Sequence, residues 1–250
     1  MVELMIIGVA NLIVGGLIGL TGVAGFLLPM LYAGYLGMNV SESLVLSFSA
    51  FLISGLIGSW NYYKQKNMDV KLAVRLGIGS FIGAVAGVAL NSFIPEEKVK
   101  MLLYVVVLFS GVSILVRKDK KEMEQDRENL LENNIPAALV LGIVTGAICS
   151  LSGAGGPVLV MPLLVMLGVP VRTAVGVALF DSVFIAIPSI AGYAMKTKLS
   201  NFAGALIVSA AAHGIGVCVG SSHAEKICQN VLKKGIAVFS IIIAIWKLFF

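Results

Sequence analysis

Residues 136–168 read PAALVLGIVTGAICSLSGAGGPVLVMPLLVMLG, an uncharged apolar run interrupted in its middle at Ser152-Gly153-Ala154-Gly155-Gly156-Pro157. Such a run is too long for one bilayer crossing, which takes about 20 residues, and too short for two. In lipid every backbone N–H and C=O must find a partner within the protein, so the flanks of the interruption are expected to be helical. The glycine-rich centre implies two half-helices meeting at a loop, either as one long broken helix or as a re-entrant hairpin. Non-helical backbone at membrane depth is tolerated only inside protein or beside a wet cavity. Residues 4–36 repeat the design, with Gly19-Leu20-Thr21-Gly22-Val23-Ala24-Gly25 at the break.

Outward from these two stretches, apolar segments run at 4–36, 43–63, 72–94, 97–116, 136–168, 172–195, 201–221 and 231–250. The chain is 58% hydrophobic and 12% charged, against about 25% charged in a soluble domain. Its mean hydropathy is +0.99. We therefore expect an all-α polytopic membrane protein; a β-barrel would need short alternating strands, and none are apparent. Asn39 with Glu42, Pro95 with Glu96 and Glu97, and Asn134 with Pro136 read as helix starts. Trp60, Tyr62, Tyr63 and Trp246 fall where an interfacial aromatic belt is expected. The N-terminus, with Glu3 in place of a basic stretch, does not read as a cleavable signal peptide. The net charge of +5 comes from basic residues at segment ends, a topological pattern that does not suggest nucleic acid. Cys149, Cys218 and Cys228 lack metal-ligand spacing.

The polar stretch Arg117 to Asn134 divides the chain, and the halves match at a shift of 131 residues: Leu20-Thr21-Gly22 with Leu151-Ser152-Gly153, Gly37 with Gly168, Tyr62 with Tyr193, and Gly83 with Gly214. After a two-residue gap Pro29 pairs with Pro162, and near the ends Phe109-Ser110 pairs with Phe239-Ser240. We read a first repeat at 1–117, a charged cytoplasmic linker at 118–134 and a second repeat at 135–250. Gly79, Gly83 and Gly87, and their matches Ala210, Gly214 and Cys218, form small-residue stripes suited to close helix packing. Four crossings per half would make the repeats parallel; hairpins at the first and fifth segments would make them inverted. Both place Lys64–Arg75 and the linker in the cytoplasm. Glycine-broken segments in matching places favour inversion.

The breaks are also the sharpest chemical feature. A half-helix starting at membrane depth presents amides without intrahelical partners and the positive end of its dipole, which suits an anion. Pro157 suits a first helical position after Gly155 and Gly156. Thr21 and Ser152 hold matching places and could donate hydroxyls. Asp181 lies well inside an apolar segment opposite Ala50 of the first half, and an ionisable group there is a functional candidate. It reads as a coupling-proton group, or as a neutral hydrogen-bonded carboxyl; a carboxylate left charged would repel an anion. His213 is a second coupling candidate. Ser43, Ser47 and Ser54 share one helix face, as a polar path or as interhelical hydrogen bonds. No enzyme site, metal cluster or nucleotide loop is apparent, so no cofactor is expected.

Ser152-Gly153-Ala154-Gly155-Gly156-Pro157, followed by Pro162 and Leu163, resembles the second-half motif of the TauE/SafE sulfite exporter family. Gly19 to Pro29 looks like a degenerate first copy without the double glycine and proline. The resemblance implies movement of a small sulfur-containing anion, sulfite or organosulfonate-like, through a multi-pass protein of the inner membrane, in the export direction. The expected reading is a secondary transporter in which Thr21, Gly22, Gly25, Ser152, Gly153, Gly155 and Gly156 bind the substrate between the repeats. One repeat would rock against the other, with coupling to a proton or to sodium. A passive anion channel and a non-transporting membrane protein are the alternatives, and homo-oligomerisation is open.

Overall fold

The computed structural model describes residues 2–22, 24–116, 131, 134–198 and 202–224, and isolated positions 234, 238, 241, 242 and 245. The expected linker apart from 131 and 134, and most of the expected eighth segment with Cys228, Phe239-Ser240 and Trp246, lie outside the described residues. Described secondary structure is helical throughout. The order is α1 (Val2–Thr21), a 3-10 turn (Ala24–Phe26), α2 (Leu27–Pro29), a π-helical stretch (Met30–Tyr35), α3 (Val40–Lys64), α4 (Val70–Asn91) and α5 (Glu96–Val116). It continues with α6 (Ile135–Ser152), α7 (Gly156–Met166), α8 (Val171–Ala194) and α9 (Ala203–Ser222). Six of these, α1, α3, α4, α6, α8 and α9, are long and apolar enough to cross a membrane.

Local chemistry sets the starts. Asn39, Asp69 and Asn134 each accept a backbone N–H of the turn they open, from Ser41 at 2.9 Å, Leu72 at 3.0 Å and Ala137 at 3.1 Å. On the outer helices large apolar side chains recur at helical spacing on an exposed face: Met5, Val9 and Ile13; Ile78, Ile82 and Val85; Ile215 and Val219. In water such faces would be unstable; against acyl chains they are the expected outer surface. α3 and α8 form the centre, with Leu46, Phe48, Ala50, Val177, Ala178 and Leu179 fully enclosed.

Two glycine seams join the halves. A methyl group at Gly79, Gly83 or Gly87 of α4 would fall on the carbonyl of Leu139, Ile143 or Ala147 of α6. Backbones this close are possible only without a Cβ, and dispersion and Cα–H···O contacts then hold the helices in lipid. The other seam sets Gly15 and Gly19 of α1 against His213 and Val217 of α9, and Gly216 and Gly220 against Leu12 and Gly16. The expected stripe Ala210, Gly214, Cys218 is therefore corrected: Gly214 faces Ile53 and Ile57 of α3, and Cys218 is exposed. Gly83 meets Ile143 as Gly216 meets Leu12, so in α9 the match with the first half is displaced by two residues.

These contacts give the chain directions. Residue numbers rise together along α4 and α6 and along α1 and α9, so both pairs run parallel. Gly77 meets Phe184 and Gly192 meets Val88, so α4 and α8 run parallel. Gly176 lies on Tyr62 and Gly55 on Ser182, so α3 and α8 run antiparallel. At the end of α3, Asn61 Nδ2 and Gln65 Nε2 donate to Ser221 at the end of α9. Helices α1, α3 and α9 thus point one way and α4, α6 and α8 the other. Because α6 and α8 share a direction, α7 must carry the chain back between them, and residues 24–35 do the same between α1 and α3. Asn11 Nδ2 reaches Tyr32 Oη at 2.6 Å, as a folded-back segment requires. Both breaks are therefore re-entrant hairpins, and the long broken helix is excluded.

Candidate functional site

Each break opens with a left-handed glycine. Gly22 (φ 71°) and Gly153 (φ 74°) end α1 and α6, their amides donating to Ile18 at 2.8 Å and Cys149 at 2.9 Å. Only glycine takes this conformation without strain. A tyrosine braces each end from the same relative place: Tyr62 Oη donates to Gly19 O at 3.3 Å, and Tyr193 Oη to Ser150 O at 2.9 Å. Gly22 packs on Val175 near the start of α8, and Gly153 on Leu44 near the start of α3.

Beyond these turns the two loops approach each other. Methyl groups at Gly25 and Gly155 would each lie 2.9 Å from the Phe51 ring, one at Cε1 and the other at Cε2. Phe51 is thus wedged between the breaks, held edge-on by Phe48 at 5.8 Å, which stacks on Tyr193. Gly156 lies beside Ser182 and Ile185 of α8. Ser182 Oγ is within hydrogen-bond range of Leu179 O at 2.6 Å and Phe51 O at 3.2 Å. Gly155 (φ 79°, ψ 148°) is the N-cap of α7, without a side chain of its own to cap the helix, and Pro157 is the second helical residue. Pro157 was expected one place earlier in the helix.

The structure brings Gly25 and Gly155 together on Phe51, with Gly156 beside them against α8, and sets Thr21, Gly22, Ser152 and Gly153 in the turns that open the same two loops. Thr21 Oγ1 donates to Leu17 O at 2.8 Å, and Ser152 Oγ accepts the Ala154 amide at 3.3 Å. These bonds lie within the turns that open the two loops. Ser43, Ser47 and Ser54 donate back to Asn39, Ser43 and Phe51 of their own segment, so their hydroxyl protons are spent within α3 and its cap. Asp181 is fully buried and faces Ser80 of α4 and Cys149 of α6. Ser80 Oγ donates to Gly142 O at 3.2 Å, and both Asp181 oxygens are without a hydrogen-bond partner. His213, also fully buried, lies at the α1–α9 seam with both ring nitrogens unpartnered. Phe51 and Ser182 were missed because an apolar ring and a lone serine carry no chemical signal in sequence, although they match each other at the 131-residue shift.

Compared with known proteins, residues 4–246 match the family model described as "Sulfite exporter TauE/SafE". The chain belongs to the TauE/SafE family. Its relatives include two Bacillus subtilis proteins, "Probable membrane transporter protein YdhB" and "Probable membrane transporter protein YjnA". The first is 26% identical over 72% of this chain and 74% of its own length, the second 33% over 58% and 61%. A Haemophilus influenzae "Probable membrane transporter protein" is 24% identical over 92% of both chains. No solved structure matches. The chain is thus a multi-pass membrane protein of a transporter family.

Proposed function

We propose that this TauE/SafE member is a secondary transporter that moves a small sulfur-containing anion, sulfite or organosulfonate-like, across the inner membrane in the export direction. The observation that carries the reading is the meeting of two re-entrant loops around Phe51, one of them opening the N-terminus of α7 inside the protein. The first amides of a helix lack intrahelical acceptors and carry its positive pole, and oxyanions bind there readily. Gly155 and Gly156 let backbone approach the anion closely, with Ser182 beside them. Thr21, Gly22, Ser152 and Gly153 hold the loops in shape. Since Thr21, Gly22, Gly25, Ser152, Gly153, Gly155 and Gly156 are all buried, exchange of substrate at this site requires movement.

The seams suggest which bodies move. Rocking the N-terminal half against the C-terminal half would tear α1 from α9 and α4 from α6. We therefore assign the moving bodies to the pairs α1–α9 and α4–α6, each drawn from both halves, shifting about the central α3 and α8. The opposed directions of matching helices support inverted repeats, a frequent basis of alternating access. Asp181 is the candidate coupling group, since a protonated carboxyl would not repel the anion.

Sulfite flux into proteoliposomes tests the site. Gly156→Leu places a side chain against Ile185 and Ser182 and is expected to abolish flux. Ser152→Ala removes one turn hydrogen bond worth about 1 kcal/mol and is expected to lower flux only severalfold. Wild-type flux in both variants would refute the reading. Flux that ignores imposed proton and sodium gradients would make the protein a passive anion channel.

A further inference from the structure

A second polar cluster lies away from Phe51. In the α1–α9 seam, Asn11, Tyr32, Ser209 and His213 are all fully buried. Asn11 Nδ2 donates both to Ile7 O at 2.8 Å and to Tyr32 Oη at 2.6 Å. The amide's donors are thereby used, and its Oδ1 has no partner. Tyr32 accepts from Asn11, which leaves its own proton to give. Ser209 lies beside Tyr32, its hydroxyl donating to Leu206 O at 3.0 Å. The His213 ring faces the Asn11 backbone from outside hydrogen-bonding geometry, so neither nitrogen is satisfied. Three unpartnered polar atoms in one buried seam are costly unless something else engages them.

The backbone around the cluster adds an independent observation. Tyr32 stands in the π-helical stretch Met30–Tyr35, a rare geometry frequent at functional sites. This stretch is the return limb of the first hairpin, the half of the molecule whose break lacks a full α-helical N-terminus. A shift of that limb away from α1 would admit water to the ring.

We propose that Asn11, Tyr32, Ser209 and His213 form a proton-exchanging site, separate from the anion site and from Asp181. A neutral imidazole has one N–H and one lone pair. When the seam opens, water reaches the ring: hydronium gives the lone-pair nitrogen a proton and leaves as water, or water gives it and leaves as hydroxide, and closure returns the proton by the reverse step. Asn11 orients the tyrosine by donating to its oxygen. On the return limb the titratable group of the cluster is Tyr32, which shares Asn11 with His213; α1 presents Asn11, and α3 presents Ile53 and Ile57 to the adjoining Gly214. This rests on the transporter reading only where flux is measured, so the test has two arms.

The first arm compares sulfite entry driven by an imposed pH gradient with sulfite–sulfite exchange, in wild type, His213→Gln and Tyr32→Phe. Gradient-driven entry is expected to fall about tenfold or more in both variants, with exchange held within about twofold. Unchanged gradient-driven entry in His213→Gln would overturn the proposal. The second arm needs no substrate. The chain has two histidines, and His223 is exposed, so it serves as the internal reference for deuterium exchange at ring C2 by mass spectrometry. Exchange at His213 within about tenfold of His223 supports a site that water reaches; a rate slower by about a hundredfold or more marks a sealed packing histidine and sinks it, whatever the flux data show. Absence of wild-type sulfite exchange together with rapid exchange at His213 would overturn the anion reading alone.

Discussion

The two breaks follow the same path in opposite directions, yet they are built differently. Both begin at a left-handed glycine, both are braced by a tyrosine, and both return toward Phe51. The second then adds Gly155 at φ 79° and starts a regular 11-residue helix. The first enters a 3-10 turn, a single α-helical turn and a π-helical stretch. A regular helix aligns its peptide dipoles along one axis, whereas a 3-10-to-π path turns them through different pitches. Under the proposed function the second break is the stronger anion seat, while the first carries the irregular backbone that brings Tyr32 to Asn11. One path with two local geometries is how similar halves acquire different tasks.

Substitution at matching glycines puts this asymmetry under the greatest stress. Gly155→Ala introduces both a methyl against Phe51 and a backbone conformation almost confined to glycine, a cost of about 1–3 kcal/mol before any clash. Sulfite flux in proteoliposomes is expected to fall about a hundredfold. Gly25→Ala makes the same contact without a positive φ, and a fall of about tenfold is expected. Equal losses would mean that the loops contribute alike.

The seams sharpen the comparison at a smaller scale. Gly216→Ala drives a methyl into the Leu12 carbonyl and should lower stability in detergent by about 2 kcal/mol, a typical overpacking cost. Gly83→Ala, against the Ile143 carbonyl, should match it. Gly214→Ala meets Ile53 at 3.4 Å and should change stability by less than about 0.5 kcal/mol. Thermal melting of the purified variants decides between this register and the stripe through Gly214.

The smallest effects should be symmetrical. Tyr62→Phe and Tyr193→Phe each remove the brace on a hairpin turn, at about 1 kcal/mol apiece. If one melts several degrees below the other, the two turns are not equivalent supports.

Much of this was legible in residue order. The paired glycine breaks were readable because a loop inside an apolar run has few physical solutions. The α4 stripe was readable because every fourth residue of a helix shares a face. The α9 stripe was misread by two residues: Gly214 and Gly216 are both small, and only contact with Leu12 or Ile53 tells them apart. Asn11 carries a signal of its own, being a carboxamide inside an apolar segment. Phe51 carried none, since phenylalanine in a membrane helix is ordinary until two loops close on it.

Residue order is enough to place the chain in a membrane as helices and to require a break in two of its apolar runs. Hydropathy, backbone pairing in lipid and the absence of a Cβ are properties of single residues and short spans. That α1 seals to α9 and α4 to α6, that α1, α3 and α9 run against α4, α6 and α8, and that both breaks end on one aromatic ring became visible in the folded chain. Those facts depend on which surfaces fit at a separation set by backbone contact, and no local property of the chain encodes that choice.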